Sequence, residues 1–301
     1  MKVLITGANG QLGCDLCKAF QDYNTTLSHQ PPTTNQQLSY ELIPLTHADI
    51  EITDTDSVKK ALESHKPDIV INTAAYVRVD DCEIYPEKAF LVNAVGVKNI
   101  AEASQALGAT LVQISTDYVF DGEKGAPYTE EDAPNPINTY GISKLAGEHY
   151  AKLVEKYYIV RVSSLFGVAG ASGKGGNFVE TMIKKAKNKE KITVVDDMIM
   201  SPTYTKDAAR VIKKIIEENL PYGIYHASNE GFCSWFEFAR KIFDFLNLNA
   251  DLKPIKTRDL TLRAKRPVFS ALENKKLSKH NLKMPPWQKA LETYLSEKGY
   301  L

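Results

Sequence analysis

At 301 residues, 43% apolar and 25% charged, the chain has the composition of a soluble globular protein long enough to bury a sizeable core. Its 37 basic and 37 acidic side chains leave a formal net charge of zero, so no field draws it to nucleic acid or to an acidic membrane surface. No apolar run approaches the ~20 residues of a membrane span, the N-terminus lacks the basic-then-apolar pattern of a signal peptide, and four cysteines in a chain this long make no disulfide framework. A cytoplasmic enzyme with no nucleic-acid or membrane partner is the expectation.

The chain opens with Lys2-Val3-Leu4-Ile5-Thr6, a β-branched run, then Gly7-Ala8-Asn9-Gly10-Gln11-Leu12-Gly13 and a helical pattern. Strand, glycine turn and helix together suit a dinucleotide, because the backbone turns tightly and a pyrophosphate can rest on the positive helix N-terminus. The spacing is G-x-x-G-x-x-G rather than the usual G-x-G-x-x-G, so context carries the signal. Cys14-Asp15-Leu16-Cys17 spells C-x-x-C inside this first helix; with no second pair, packing thiols are favoured over redox or zinc chemistry.

Residues 22–39 read as a polar surface loop, and Tyr40 to Leu45 as the second strand. Where an acid often closes that strand to hold ribose hydroxyls, Thr46 and His47 stand, with Asp49-Ile50 slightly later. NADPH and NADH both remain candidates. Asp68 to Asn72 is an apolar strand followed by Ala74-Ala75-Tyr76, small residues that let a cofactor lie close to the backbone. Pro86 to Leu107 reads as one long helix in which Asn93 ties neighbouring backbone together. Thr110 to Ser115 is the next strand, a helix begins near Tyr140, and Tyr158 to Val162 is another strand. Strands alternating with helices predict an α/β, doubly wound, parallel sheet of Rossmann type over residues 1–165, with a contribution from 191–220. Residues 166–301 form a smaller, mainly substrate-binding lobe, entered through a Gly/Ala/Ser/Lys run at 167–176.

Ser115-Thr116-Asp117-Tyr118 closes a strand, and Tyr140 and Lys144, four apart, share one helix face. An ammonium beside a phenol favours the phenolate and lowers its pKa towards the working range. This predicts Tyr140 as proton donor, Thr116 as a hydroxyl partner of a carbonyl oxygen and Lys144 as a holder of the nicotinamide ribose. The chemistry is carbonyl–alcohol redox with a nicotinamide cofactor.

These segments resemble the extended short-chain dehydrogenase/reductases, and within them the dTDP-4-dehydrorhamnose reductase family. The resemblance covers nearly the whole chain. It rests on residues 5–13, Asn72-Thr73-Ala74-Ala75-Tyr76, Val92-Asn93-Ala94, Ser115-Thr116-Asp117-Tyr118-Val119-Phe120-Asp121-Gly122, Lys144-Leu145-Ala146-Gly147-Glu148, Pro202-Thr203-Tyr204 and Ser270-Ala271-Leu272. It implies NAD(P)H-dependent reduction of the 4-keto group of a nucleotide-linked 6-deoxyhexose. Cofactor contacts would come from Gly7, Gly10, Gln11, Leu12, Gly13, Asp49, Ile50, Ala74, Ala75, Tyr76, Tyr140 and Lys144. Thr116, Tyr140 and Lys144 would be catalytic. Thr116, Asp117, Leu165, Asn177, Phe178 and Arg266 would meet the nucleotide-sugar substrate. Some members are magnesium-dependent homodimers; Asp15 and Asp196 or Asp197 could match such a metal site, with an acidic surface patch as the competing reading.

Two features depart from the family pattern. Leu165 takes the place of a sugar-contacting tryptophan, and the glycine-rich run is longer. An epimerase or dehydratase is the second enzyme reading, but a dehydratase would carry Asp-Glu after the threonine, whereas Tyr118 follows Asp117. A non-catalytic subunit, like the partner of methionine adenosyltransferase, is the reading from another class, and the intact Tyr140/Lys144 pair argues against it.

Overall fold

A computed structural model describes residues 1–25, 39–170 and 176–301. Of the predicted loop at 22–39, residues 22–25 continue α1 and the rest up to 38 lie outside the described residues; of the predicted loop at 167–176, residues 171–175 lie outside them. The chain begins β1 (Lys2–Thr6), α1 (Gln11–Thr25), β2 (Glu41–Leu45), α2 (Thr55–His65) and β3 (Ile69–Asn72). It continues α3 (Val79–Ile84), α4 (Pro86–Phe90), a π-helical turn at Leu91–Val95, α5 (Gly96–Ala106) and β4 (Thr110–Thr116). A 3₁₀ turn at Asp117–Val119 and an irregular connection lead to α6 (Thr139–Ala151) and β5 (Tyr157–Val162). Then come β6 (Leu165–Phe166), α7 (Phe178–Lys187), β7 (Ile192–Val195), β8 (Ile199–Met200), β9 (Thr203–Tyr204), α8 (Thr205–Glu217) and β10 (Gly223–His226). The chain ends β11 (Cys233–Ser234), α9 (Trp235–Phe245), β12 (Leu252–Ile255), α10 (Lys275–Lys279) and α11 (Trp287–Glu297).

Six strands pair in parallel in the order β10-β5-β4-β3-β1-β2. Alternation along each strand divides the core between two faces. Val3, Ile5, Ile69, Ile71, Val112 and Ile114 face α1 and α8, packing on Leu16, Phe20, Ile212 and Ile215. Leu4, Val70, Leu111 and Ile159 face the other way, onto Val58, Leu62, Val97 and Ile100. Both faces are covered, which is why these strands read as unbroken apolar runs. Each fully buried aliphatic side chain contributes roughly 1.5–3 kcal/mol.

The chain steps from β1 outward to β2, then crosses back to place β3 on the other side of β1. The carboxyl ends of β1 and β3 therefore flank the crevice where ligands of such sheets sit. A second core, of Phe166, Val179, Met182, Phe238, Trp287, Leu291 and Tyr294, fills the C-terminal part. Within 191–220, β7 pairs with β12 at this second core, whereas α8 packs on α1 and leads into β10 at the edge of the main sheet.

The predicted helix 86–107 is divided: α4, the π-turn and α5 follow one another, and α3 precedes them as an element the sequence did not mark. A π-turn slips the apolar stripe by one residue, which blurs its period. Among the described residues, no helix is long and apolar enough to cross a membrane.

Candidate active site

The glycine turn comes first. Gly7 has φ +66°, and a Cβ there would lie 2.8 Å from Thr73 Oγ1 and 3.0 Å from the Ala74 amide nitrogen. Only glycine permits that approach of β1 to the loop after β3. The Gly10 amide donates to the Gly7 carbonyl at 2.8 Å, and a Cβ at Gly13 would lie 2.2 Å from the same oxygen. The turn thus folds tightly onto the start of α1, whose first amide N–H groups carry the positive end of the helix dipole. Gln11 Oε1 is buried with no hydrogen-bond partner among the described residues, an acceptor that suits a hydroxyl or N–H donor rather than the phosphate itself. This cradle fits a dinucleotide pyrophosphate.

Leu12 and Ile50 are buried in the core, so either would meet a cofactor through backbone or the edge of its side chain. The Asp49 carboxylate accepts hydrogen bonds from the Thr46 amide (2.8 Å) and hydroxyl (2.7 Å). These hold its pKa below the ordinary carboxylate range. After β3, the Ala74 amide donates to Asn72 Oδ1 at 3.2 Å. Asn93, in the π-turn, accepts from the Tyr76 amide (2.8 Å) and donates to both the Tyr76 carbonyl (3.0 Å) and Ser143 Oγ (3.0 Å). It clamps the loop after β3 onto α6, as its position in the sequence suggested.

Thr116 ends β4, while Tyr140 and Lys144 stand on the first turns of α6. Asn138 caps α6 by accepting from the Gly141 amide at 2.8 Å, and its Nδ2 donates to the Lys265 carbonyl at 2.9 Å. The Thr116 hydroxyl is a neighbour of the Tyr140 phenol and favours its ionised form. Lys144 is buried and donates to the Ile114 carbonyl at 2.8 Å.

Electrostatics at this trio correct the sequence reading. Burial pushes the Tyr140 phenol well above its usual range; Thr116 pulls the other way and the Asp117 carboxyl adds to the rise. Lys144 is itself pushed down, to about 8, by burial, with Glu148 opposing. Desolvation thus outweighs the predicted depression of Tyr140 by an ammonium. Behind Lys144, Glu148 takes a bidentate fork from Arg161, Nε to Oε1 at 2.9 Å and Nη2 to Oε2 at 2.8 Å, and a third hydrogen bond from Ser115 Oγ at 2.6 Å.

Asp117 is turned inward and only 4% exposed. Its Oδ2 accepts from Ser163 (3.0 Å) and Ser270 (2.5 Å), and its Oδ1 from Thr116 (3.1 Å). Burial raises its pKa to about 6, against the pull of those three hydroxyls. Ser270 lies on a strap, 264–274, that pairs at Phe269 with Ile199 and at Leu272 with Tyr128. The strap is pinned by Arg266 Nη2 donating to Asp80 Oδ2 at 2.8 Å and the Ala264 amide to Asp80 Oδ1 at 3.0 Å. Further along, the Ser270 amide donates to the Ile199 carbonyl (2.8 Å) and the Tyr128 amide to the Ala271 carbonyl (2.8 Å). Neither Ser163 nor Ser270 stands out as a site residue from sequence; Ser270 was visible only as part of the Ser-Ala-Leu resemblance.

Beside Asp117, a small cavity is lined by Tyr118, Ser164, Met198, Met200, Trp235 and Ser270. A larger one, about 270 Å³, lies at the opposite, amino ends of β3 and β4, between Asp68, Leu107, Thr110, Lys156 and Tyr222. Size does not decide here, because ligands of a parallel sheet bind at strand carboxyl ends. Leu165, in β6, packs against the first core. Asn177 caps α7, accepting from the Glu180 amide at 3.1 Å and donating to the Gly167 carbonyl (3.0 Å) and Tyr294 OH (3.2 Å). Phe178 packs on Trp235, centroids 4.7 Å apart. The structure thus gathers the glycine turn, Ala74–Tyr76, Thr116, Tyr140 and Lys144 at one sheet edge and sets Asn177 and Phe178 at the start of α7.

Magnesium does not fit the acids suggested for it. Asp15 accepts from Thr205 Oγ1 at 2.5 Å, Asp196 pairs with Lys256 at 2.9 Å, and Asp197 accepts from the Thr257 amide and hydroxyl. Among the described residues, no group of three His, Cys, Asp or Glu could hold a metal ion. The thiols of Cys14 and Cys17 are raised by burial, Cys17 to about 11, which disfavours the thiolate that redox or zinc chemistry needs.

The doubly wound sheet, the glycine cradle and the Thr116/Tyr140/Lys144 set define a Rossmann-type oxidoreductase of the extended short-chain dehydrogenase/reductase class. A family model described as RmlD substrate binding domain matches residues 1–299. The chain is 40% identical to the spore coat polysaccharide biosynthesis protein SpsK of Bacillus subtilis, covering 99% of this chain and 98% of that protein. It is 38% identical to a dTDP-4-dehydrorhamnose reductase of Aggregatibacter actinomycetemcomitans, covering 97% of each. Among solved structures it is similar to the dTDP-4-dehydrorhamnose reductase of Bacillus anthracis in complex with NADP, at 42% identity and TM-score 0.87, covering 98% of this chain and 99% of that one. The chain belongs to the RmlD family of dTDP-4-dehydrorhamnose reductases.

Proposed function

We propose that this protein reduces the 4-keto group of a nucleotide-linked 6-deoxyhexose, dTDP-4-dehydro-L-rhamnose, to the alcohol of dTDP-L-rhamnose. The observation that carries the reading is the placement of Thr116, Tyr140 and Lys144 at the same sheet edge as the glycine cradle. Gly7, Gly10, Gln11, Leu12 and Gly13, with Ala74, Ala75 and Tyr76, would hold NADPH or NADH, which would supply a hydride to the carbonyl carbon. The relative solved with NADP supports the first of these. Asp49-Ile50 lines the adenosine end.

This chain's residues handle the proton. A phenol raised by burial stays protonated at neutral pH, so Tyr140 enters turnover loaded. It gives its proton to the carbonyl oxygen as the alcohol forms, the work of a positioned general acid. Lys144, at about 8, is mostly ammonium at neutral pH. One N–H is fixed on Ile114 and two remain for ribose hydroxyls. On the sugar side the reading uses Thr116 and the cavity beside Asp117, which Ser164 lines while Leu165 packs on the first core. Arg266, oriented by Asp80, would supply guanidinium donors to the diphosphate. Asn177 and Phe178 contribute by fixing the start of α7. A cytoplasmic location belongs to the same proposal, supported by Cys14, Cys17, Cys82 and Cys233 all being thiols.

The test is the oxidation of NADPH and of NADH with dTDP-4-dehydro-L-rhamnose and with related 4-keto sugar nucleotides. Consumption of either cofactor with the rhamnose precursor is expected. Demonstrated cofactor binding without consumption on any of them would replace this reading with that of a non-catalytic subunit.

A further inference from the structure

We propose that the small cavity between Met198, Met200, Trp235 and Pro267 receives the C6 methyl group of the keto sugar, and so selects a 6-deoxyhexose over the same sugar carrying a 6-hydroxyl. The inference deepens the reductase reading and rests on it. Two contacts tie the cavity to the reacting groups. Tyr118 lines it, and the Tyr118 ring meets the Tyr140 ring edge-on. Ser270 lines it too, and the Ser270 hydroxyl donates to Asp117, the residue after Thr116. In a 4-keto-6-deoxyhexose the methyl is carried by C5, the ring carbon next to the carbonyl. A sugar whose carbonyl oxygen meets Tyr140 therefore brings its methyl to this side of the site.

Size and lining decide what fits. The cavity holds about 10 Å³, room for a single group the size of a water molecule or a methyl. Met198, Met200, Trp235 and Pro267 give it apolar walls, against which a methyl gains by leaving water. A hydroxymethyl group is one heavy atom larger. The walls are also tied to one another. β8 pairs with β11, Met200 opposite Cys233 and Ile199 opposite Ser234. Ile199 also binds the strap, its amide donating to the Val268 carbonyl (2.8 Å) and its carbonyl accepting from the Ser270 amide (2.8 Å). The Trp235 amide donates to the Met198 carbonyl at 3.3 Å. Phe178 backs the indole of Trp235, centroids 4.7 Å apart, and so acts on the sugar through Trp235. Ser164, which also lines the cavity, turns the chain after β5 with φ +45°.

The test compares dTDP-L-rhamnose with dTDP-L-mannose, its 6-hydroxylated counterpart. One readout is kcat/KM for oxidation by NADP+, the reverse of the proposed reaction. The other is Kd by calorimetry on the protein loaded with NADP+, which needs no turnover. The wild type is expected to favour the rhamnose nucleotide by about 10- to 200-fold, the range for one group more or less in a hydrophobic pocket. Met198→Ala enlarges the cavity and shrinks that preference. Ser164→Asn fills it and weakens the rhamnose nucleotide; asparagine adopts positive φ readily, so the backbone is kept. Unchanged NADP+ affinity shows that each variant is folded. Equal constants for the two sugars in the wild type, or wild-type constants in both variants, overturn the proposal, while oxidation of either sugar keeps the reductase reading. Tighter binding of the rhamnose nucleotide with no oxidation removes the reductase reading and leaves the methyl site standing. Binding of neither sugar overturns both.

Discussion

The α-carbon of Gly141 lies so close to Tyr118 that a Cβ would come within 2.1 Å of the Tyr118 carbonyl oxygen and 2.9 Å of Pro136 Cβ. Both obstacles are held: one is backbone, the other a ring in the connection before α6. A glycine at this point lets the first turn of α6 settle onto the 3₁₀ turn, which sets the distance from Tyr140 to Thr116. Gly141→Ala is expected to destabilise the fold by roughly 1–3 kcal/mol, the usual cost of overpacking. It should also lower kcat more than a mutation of equal cost elsewhere. Urea unfolding alongside steady-state kinetics checks both, and an alanine variant of wild-type stability would show that the helix has room.

Tyr140→Phe keeps the ring and removes the proton. The ring meets Tyr118 edge-on, centroids 5.8 Å apart, a contact phenylalanine retains. Turnover should fall roughly 100- to 10,000-fold, the range for a positioned general acid, with cofactor affinity nearly unchanged. Near-wild-type kcat would remove Tyr140 from the chemistry.

Lys144 is expected to give cofactor binding an alkaline limit. Its pKa is about 8 in the folded protein, against 10.5 for a lysine free in water. Between those values the unfolded chain binds more protons than the folded one, so this group's contribution to stability rises with pH across that window. Below about 8 the buried ammonium is a fixed cost. For function the sign reverses: above about 8 the ammonium is lost, and cofactor affinity should fall. Measured as wild type minus Lys144→Met, unfolding free energy should climb from pH 8 to 10 while cofactor affinity declines. A flat difference in stability means that Lys144 is not desolvated.

Much of this arrangement was legible from residues alone, and what was not has a physical reason. Parallel strands buried on both faces spell apolar runs, so Val3-Leu4-Ile5 and Ile69-Val70-Ile71 announced themselves. So did the glycine turn, which only a small set of residues can make. The two-residue strands β6, β8, β9 and β11 carry no such signal, since tertiary pairing alone creates them. The π-turn hid because one extra residue per turn shifts the stripe that sequence reading relies on. At the site, spacing placed Tyr140 and Lys144 on one helix face but could not report burial, and burial decides the direction of both pKa shifts. Asp117 enters as a substrate ligand through the family resemblance alone. That its carboxylate turns inward depends on Ser163 and Ser270, 46 and 153 residues away in the chain.

Glu148 and Arg161 link stability to this chemistry. Their side chains are 0% and 1% exposed, and the pair is bidentate. Breaking a buried pair by removing one partner costs about 3–5 kcal/mol, because the survivor is left charged and unpaired. Glu148→Gln should therefore destabilise by about that much. Glu148→Leu with Arg161→Met should cost clearly less than the sum of the singles, since neither charge is then stranded. Glu148 also holds the Lys144 pKa up against burial, so removing its charge lowers that pKa further. In Glu148→Gln the alkaline fall in cofactor affinity should begin at a lower pH than in the wild type. Additive stabilities in the double mutant, or an unmoved alkaline limb, would separate the ion pair from Lys144.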